Sequence, residues 1–405
     1  MPLGTNDDTS PAGGRAMPVG TVLTTHAGSL AEAARARSAL RRPQPRRGGG
    51  RAALVEPVRS ATDDVVAAQL TTGLHVIDNG EAPRESFFTY VRDRLSGFDG
   101  EPSHRPLMAD RLAFPTYVAL KRAQSSGEDR VSAMWAPSCC ALVTHRGPGP
   151  LQDELDAFCR RAGGGHRRGL HRPQKTFVTA ASPGIVAAAM DNRHYSDDGA
   201  YIDAVAEAMP PEYRRSVEAG HVLQIDAPDL AMERHTRYAD RPLPEFLAFV
   251  GRVVAAINRS VAGLDRSRLR LHVCWGNYDG PHHLDVALQD ILPALLEAEV
   301  GWLVLPFANP RHAHEYRLLS QLPSGGERAM GVVAGVIETT HNYVEHPEVV
   351  ADRLRRVLDV VGDRERVQAG TDCGFATFAG YGDVAAEVVW EKLRSLVVGA
   401  AMVGA

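Results

Sequence analysis

Residues 222–229 read VLQIDAPD, residues 243–263 read LPEFLAFVGRVVAAINRSVAG, and residues 269–274 read LRLHVC. The outer two are short runs suited to β-structure, and each ends in polar or ligating side chains. The middle one is a longer amphipathic stretch. A strand, a helix and a strand in that order imply a βαβ unit with parallel strands. The same alternation extends in both directions. Strand-like runs occur at Val22–Thr25, Leu74–Asp78, Thr176–Ala181, Val222–Asp226, Leu269–Cys274, Trp302–Leu305, Gly331–Glu338 and Val367–Asp372. Helical stretches are expected at 62–72, 84–95, 200–219, 243–263, 285–298, 312–321, 346–361 and 383–400. Eight such strands predict an α/β fold of the (β/α)8 TIM-barrel type. An open doubly wound sheet is the weaker choice, because no GxGxxG follows the first strand. A further strand near Val131–Trp135 is expected to lie outside the eight.

Length and composition agree with one large barrel. The chain has 405 residues, 44% of them hydrophobic and 23% charged. An α/β barrel commonly occupies about 250 residues, with room for insertions. Residues 1–19 read as a disordered tail and 20–405 as a single catalytic barrel. Insertions are expected near 31–52 and 136–173, where Gly, Pro, Arg and His gather. Lys and Arg number 45 against 49 Asp and Glu, so the net charge of −4 argues against a generic nucleic-acid binder. No apolar run approaches about 18 residues, so no membrane partner is expected. The polar, Gly/Pro-rich start predicts a cytoplasmic protein. Five cysteines are too few, and odd in number, for a disulfide framework. Cys139 and Cys140 are read as core or surface thiols, and Cys159 as core.

In such barrels the active site lies at the C-terminal ends of the strands. Nearly every end here carries a polar or ligating residue. His272 and Cys274 are two apart, so on a strand they face the same way. Cys373, at the last strand end, supplies a second thiolate. Nitrogen and sulfur ligands in a tetrahedral set favour Zn²⁺. Trp275 and Tyr278 follow the HxC strand, where they either line a pocket or pack.

Motifs in order along residues 20–400 carry a resemblance. They are TTHAGSL (24–30), VIDNGE with SFFTYVRDRLSGF (76–98), LQIDAPDLA (223–231), HVCWGNYDGPHHLD (272–285), ANPRHAHE (308–315) and AGTDCGF (369–375). The chain resembles the catalytic barrel of the cobalamin-independent methionine synthase family, in its short single-barrel relatives. The resemblance implies zinc-dependent methyl transfer to a small-molecule thiol acceptor, usually homocysteine. The implied methyl donor is a methylated folate or, for a single barrel, a methyl-corrinoid protein. Zinc ligands carried over are His272, Cys274 and Cys373. Gly28 and Ser29 fall near the acceptor's carboxylate, and Glu81 and Asp226 near its ammonium. His341 is the catalytic candidate, as the acid that protonates the leaving pterin nitrogen; His282, His283 and His312 are also available.

The family's zinc-binding Glu has no counterpart, because Leu305-Pro306-Phe307 stands in its place. Either Glu338 or Asp372 completes the shell, or water or substrate does, or zinc binding is weakened. Alkyl transfer to another small thiol of the coenzyme M type is the close rival. A lapsed barrel acting as a binding protein is the third reading. The HxC and DCG motifs argue against a metal-free decarboxylase on the related uroporphyrinogen decarboxylase barrel.

Overall fold

The computed structural model describes residues 21–30, 52–102, 108–124, 136–163, 173–377 and 384–404. Its eight strands are β1 (Leu23–Thr24), β2 (Val76–Ile77), β3 (Lys175–Ala181), β4 (Val222–Asp226), β5 (Leu269–His272), β6 (Trp302–Pro306), β7 (Gly331–Ile337) and β8 (Val367–Thr371). They pair in the order β1-β8-β7-β6-β5-β4-β3-β2, each pair parallel. Between β1 and β2 the His75 N–H donates to the Thr24 carbonyl at 3.1 Å, which brings the two ends of the sheet together. The sheet is thus a nearly closed (β/α)8 barrel, as the alternation predicts.

β1 and β2 are shorter than their sequence runs, and the reason is local. The Thr24 N–H donates to His75 Nδ1 at 3.0 Å, and the Asp78 N–H to Gln69 Oε1 at 3.1 Å. Side chains there take hydrogen bonds that a regular ladder would use.

The longer helices cover the outside. Leu243–Ser260 buries Phe246, Val250, Val253, Val254 and Ile257, the inward stripe of a helix lying on a sheet. The stretch expected at 200–219 divides into Asp198–Ala208 and Pro210–Glu218, because Pro210 and Pro211 offer no N–H to continue the first helix. Two expected helices are not α-helices. Within 84–95 only Thr89–Asp93 winds, as a 3-10 turn, after the Ser86 hydroxyl has accepted the N–H groups of Phe88 and Thr89. Within 312–321 a 3-10 helix spans Glu315–Gln321.

The expected insertion at 136–173 contains a barrel element. The helix Gly149–Gly163 lies on the crossover from β2 to β3 and buries Leu151, Leu155 and Phe158. Its Glu154 forms buried ion pairs with Arg84 at 2.9 Å and Arg94 at 2.6 Å. That inward face leaves Cys159 exposed, against the expectation of a core thiol: it lies about 100° around the helix from Phe158. Cys139 is buried and Cys140 exposed. The Val131–Trp135 run, residues 1–19 and most of 31–52 lie outside the described residues.

Beneath the strand ends the barrel interior is polar. Arg270 on β5 is buried over the Phe177 ring, 3.7 Å from its centroid, and reaches Thr25 Oγ1 and the His26 carbonyl. Burial pushes the Arg270 guanidinium down to about 9 and the His26 imidazole down to about 4. Among the described residues no helix is long and apolar enough to cross a membrane.

Candidate active site

The β4–β5 register places Asp226 opposite His272. Asp226 Oδ1 accepts the His272 Nδ1–H at 2.9 Å and a bond from Gln224 Nε2 at 2.7 Å. This fixes the imidazole with Nε2 as its remaining ring nitrogen. That Nε2 is buried and has no hydrogen-bond partner among the described residues.

Cys274 lies just past the end of β5, and Cys373 just past the end of β8. Their sulfurs are 3.9 Å apart. The ligating atoms of His272, Cys274 and Cys373 all fall within 4.8 Å of one another. A buried nitrogen lone pair without a partner beside two thiols is the donor set of a soft or borderline cation. The residues present therefore fit zinc. Hydrogen bonding from Cys373 and the neighbouring His272 draw the Cys274 thiol well below its ordinary value. The same pairing holds the Cys373 thiol up.

No carboxylate among the described residues joins this cluster. Pro306 is on the wall of the cavity that Cys274 and Cys373 also line. Glu338 and Asp372 line it too, but their oxygens are engaged. Asp372 accepts the N–H groups of Phe307, Ala308 and Asn309 at 3.1, 2.9 and 2.7 Å, tying the loop after β6 to β8. Burial pushes its carboxyl up to about 7. Glu338 accepts the N–H groups of Thr340 at 2.7 Å and His341 at 2.9 Å.

The loops after β1 and β2 meet across the barrel mouth. Gly28 has φ +125, and a Cβ there would stand 2.7 Å from Glu81 Oε1. Glu81 itself has φ 56, a left-handed conformation that costs a non-glycine residue about 1–3 kcal/mol and tends to mark functional sites. Its Oε1 accepts from Thr179 Oγ1 at 3.1 Å. The Ser29 carbonyl accepts the Phe375 N–H at 2.8 Å, and its hydroxyl accepts the Ala376 N–H at 3.3 Å. Gly28, Ser29 and Glu81 are thus brought together, next to the loop that carries Cys373.

His341 stands apart. Its side chain is 49% exposed, with Nδ1 3.3 Å from Glu338 Oε2 and Nε2 3.5 Å from Asp279 Oδ1. The histidines on the cavity wall are His282 and His312. Trp275 stacks on His312 at 4.0 Å and Tyr278 on His282 at 4.3 Å, so both rings pack on imidazoles. His283 pairs edge-on with Phe114.

No protein-family model matches the chain. It is 28% identical over 228 residues to a methionine synthase of Saccharolobus islandicus, a match covering 56% of this chain and 58% of that protein. The chain therefore spans a little over half the length of the first curated relatives it matches. It is 27% identical over 356 residues to a methionine synthase of Saccharolobus solfataricus, covering 86% of each. The B12-independent methionine synthase of Shewanella sp. W3-18-1, solved with selenomethionine, superposes with a TM-score of 0.66. That match covers 95% of this chain and 98% of the other at 18% identity, and shows the shared fold. The chain is similar in sequence to methionine synthases and in fold to B12-independent ones, in line with the resemblance its motifs carry. The shared fold accounts for the strand order. The chain is also 24% identical over 379 residues to the 2-hydroxypropyl-CoM lyase of Xanthobacter autotrophicus, covering 86% of each.

Two features of the site escape a reading of the sequence. Asp226 orients His272, a relationship that only strand register reveals. Asp285 and His235 join His282 and His312 in one cluster. The spacings His282-x-x-Asp285 and His312-x-x-Glu315 are the signal that could have pointed there.

Proposed function

We propose that the chain is a zinc-dependent methyltransferase that moves a methyl group from a methylated folate or corrinoid donor to a small thiol such as homocysteine. The observation that carries this reading is the buried, unpartnered His272 Nε2 beside the Cys274 and Cys373 sulfurs. His272, Cys274 and Cys373 would hold the metal. A zinc ion bound there would lower the pKa of an incoming thiol and make the thiolate available at neutral pH. The protein's own groups do the rest. Asp226 keeps the His272 Nε2 lone pair directed at the cluster. Glu81, held by Thr179, offers a carboxylate to the acceptor's ammonium, with Asp226 nearby. Gly28 and Ser29 offer N–H and hydroxyl donors to its carboxylate. His341, exposed next to the cavity-lining Thr340, supplies a proton to the nitrogen that leaves the methyl group. One barrel over residues 20–405 carries the whole site, in a cytoplasmic enzyme.

A second reading has its own support. The match to a 2-hydroxypropyl-CoM lyase spans 86% of the chain, and one oxygen of Asp226 is committed to His272 and Gln224 rather than to a substrate amine. Alkyl transfer to a thiol without an amino group would suit that arrangement. Metal analysis followed by a panel of methyl donors and thiols decides. About one zinc in the thiolate site per chain, with methyl transfer to homocysteine, supports the first reading. Equal reaction with thiols that lack an amine supports the second. Protein that takes up no zinc in the thiolate site overturns both.

A further inference from the structure

The barrel mouth holds a second group of ligating side chains, which the reading above does not use. Asp285 stands among three buried histidines. Its Oδ2 lies 2.8 Å from His282 Nδ1 and 2.8 Å from His312 Nε2. Its Oδ1 lies 3.0 Å from His235 Nδ1, close but out of line for a hydrogen bond. The ligating atoms of His282, Asp285 and His312 all fall within 4.8 Å of one another. His235 is 1% exposed, and neither of its ring nitrogens has a hydrogen-bond partner among the described residues.

The outer nitrogens of the two ligating rings already have acceptors. His282 Nε2 lies 3.1 Å from the Tyr278 carbonyl, and His312 Nδ1 lies 2.8 Å from Glu315 Oε2. Glu315 is itself fixed by the Leu288 N–H at 2.7 Å. A metal-ligating histidine commonly donates its other N–H to a carbonyl or carboxylate in this way, which sets the tautomer and aims the lone pair. Tyr278 and Trp275 clamp the two rings by stacking. His282 also has φ 53, and it and Glu81 are the two non-glycine residues with positive φ among those described. With every one of these contacts made by an N–H, both rings would be doubly protonated, two buried cations sharing Asp285 Oδ2 with Glu315 as a further counter-charge on His312. A divalent ion replaces those two protons, releasing them to solvent, and leaves the outer hydrogen bonds unchanged.

We propose that His282 Nδ1, His312 Nε2 and the Asp285 carboxylate form a second metal site for a divalent first-row transition ion, with His235 as a further donor. Two imidazoles and a carboxylate suit Zn²⁺, Fe²⁺, Co²⁺ or Mn²⁺, and the absence of sulfur separates this set from the thiolate cluster. His282 and His312 line the same cavity as Cys274 and Cys373. An ion here is placed to bind an oxygen-bearing group of a molecule that enters beside the thiol site. The proposal goes beyond the methyltransfer reading and does not depend on it.

The test strips the full chain of metal and titrates it with Co²⁺, following the visible spectrum, and then with Zn²⁺, counting metal by mass spectrometry. Wild-type protein binds about two equivalents of either ion, one for each ligand set. One cobalt develops intense thiolate charge-transfer absorption, and the other shows only weak ligand-field bands. His312→Gln loses the second and keeps the first. Cys373→Ser does the reverse, so failure of the thiolate site would be seen separately, as charge-transfer absorption that never appears. Asp285→Asn repeats the test should His312→Gln fail to fold. Wild-type protein that saturates with charge-transfer cobalt alone overturns the proposal. So does retention of both ions by the His312 or Asp285 variant.

Discussion

Asp226 and His272 face each other across the β4–β5 ladder, and the carboxylate takes the imidazole's Nδ1–H at 2.9 Å. One strand thereby sets the tautomer of a candidate metal ligand carried by the next. The tie gives Asp226 an orienting role beside the proposed metal site.

Asp226→Asn is therefore expected to lower zinc affinity by roughly 10–100-fold, the usual effect of losing such a partner. Competition against a chromophoric chelator measures it. An unchanged zinc affinity, with weaker binding of amino-acid thiols, would assign Asp226 to the substrate instead.

Cys373→Ser removes a ligand carried by the last strand end. A structural zinc site would be closed by four protein ligands, whereas three ligands with Pro306 on the cavity wall leave room for a substrate sulfur. The variant is expected to lose zinc from this site and methyl transfer, while far-UV circular dichroism stays at the wild-type level. In wild-type protein, saturating thiol should add a sulfur scatterer at about 2.3 Å to the zinc X-ray absorption spectrum. A variant that no longer folds, with a wild-type spectrum unmoved by thiol, would make the zinc structural.

Glu81 holds a strained backbone and touches the space a side chain at Gly28 would occupy. Glu81→Gln is expected to weaken an amino-acid thiol by about 1–3 kcal/mol, through loss of a charged hydrogen-bond partner. Gly28→Ala should weaken the same ligand, because a Cβ there meets Glu81 Oε1 at 2.7 Å and the φ of +125 disfavours alanine. Calorimetric titration of homocysteine and of an amine-free thiol compares the two. Equal losses for both thiols would remove Glu81 from ammonium recognition.

His26 gives stability a pH dependence. Burial lowers its pKa from 6.5 to about 4, so the folded state keeps it neutral while the unfolded chain takes up a proton. The unfolded state binds more protons in that window, and stability falls as pH drops from about 6.5 to about 4. Denaturant melts across that range should show the slope, and His26→Gln should flatten it. An unchanged slope in the variant would mean that His26 does not carry the effect.

The alternation of short apolar runs with amphipathic stretches was enough to determine the barrel, because each strand and helix is specified by local periodicity. The HxC pair was legible for the same reason: side chains two apart on a strand share a face. Helices failed where local side chains took over the backbone's hydrogen bonds, as Ser86 does with Phe88 and Thr89. Burial of Cys159 was misread because its side of the helix depends on where Glu154, Leu155 and Phe158 find partners.

What only the tertiary structure decided is which distant residues share a space. Cys274 and Cys373 are 99 positions apart in the chain, and barrel closure sets their sulfurs 3.9 Å from each other. Asp226 meets His272 through strand register, and His235, Asp285 and His312 converge from three separate loops. Sequence encodes a residue's chemistry and its local face. Contact between elements depends on register, loop path and the packing of the closed sheet, and none of these has a local signature.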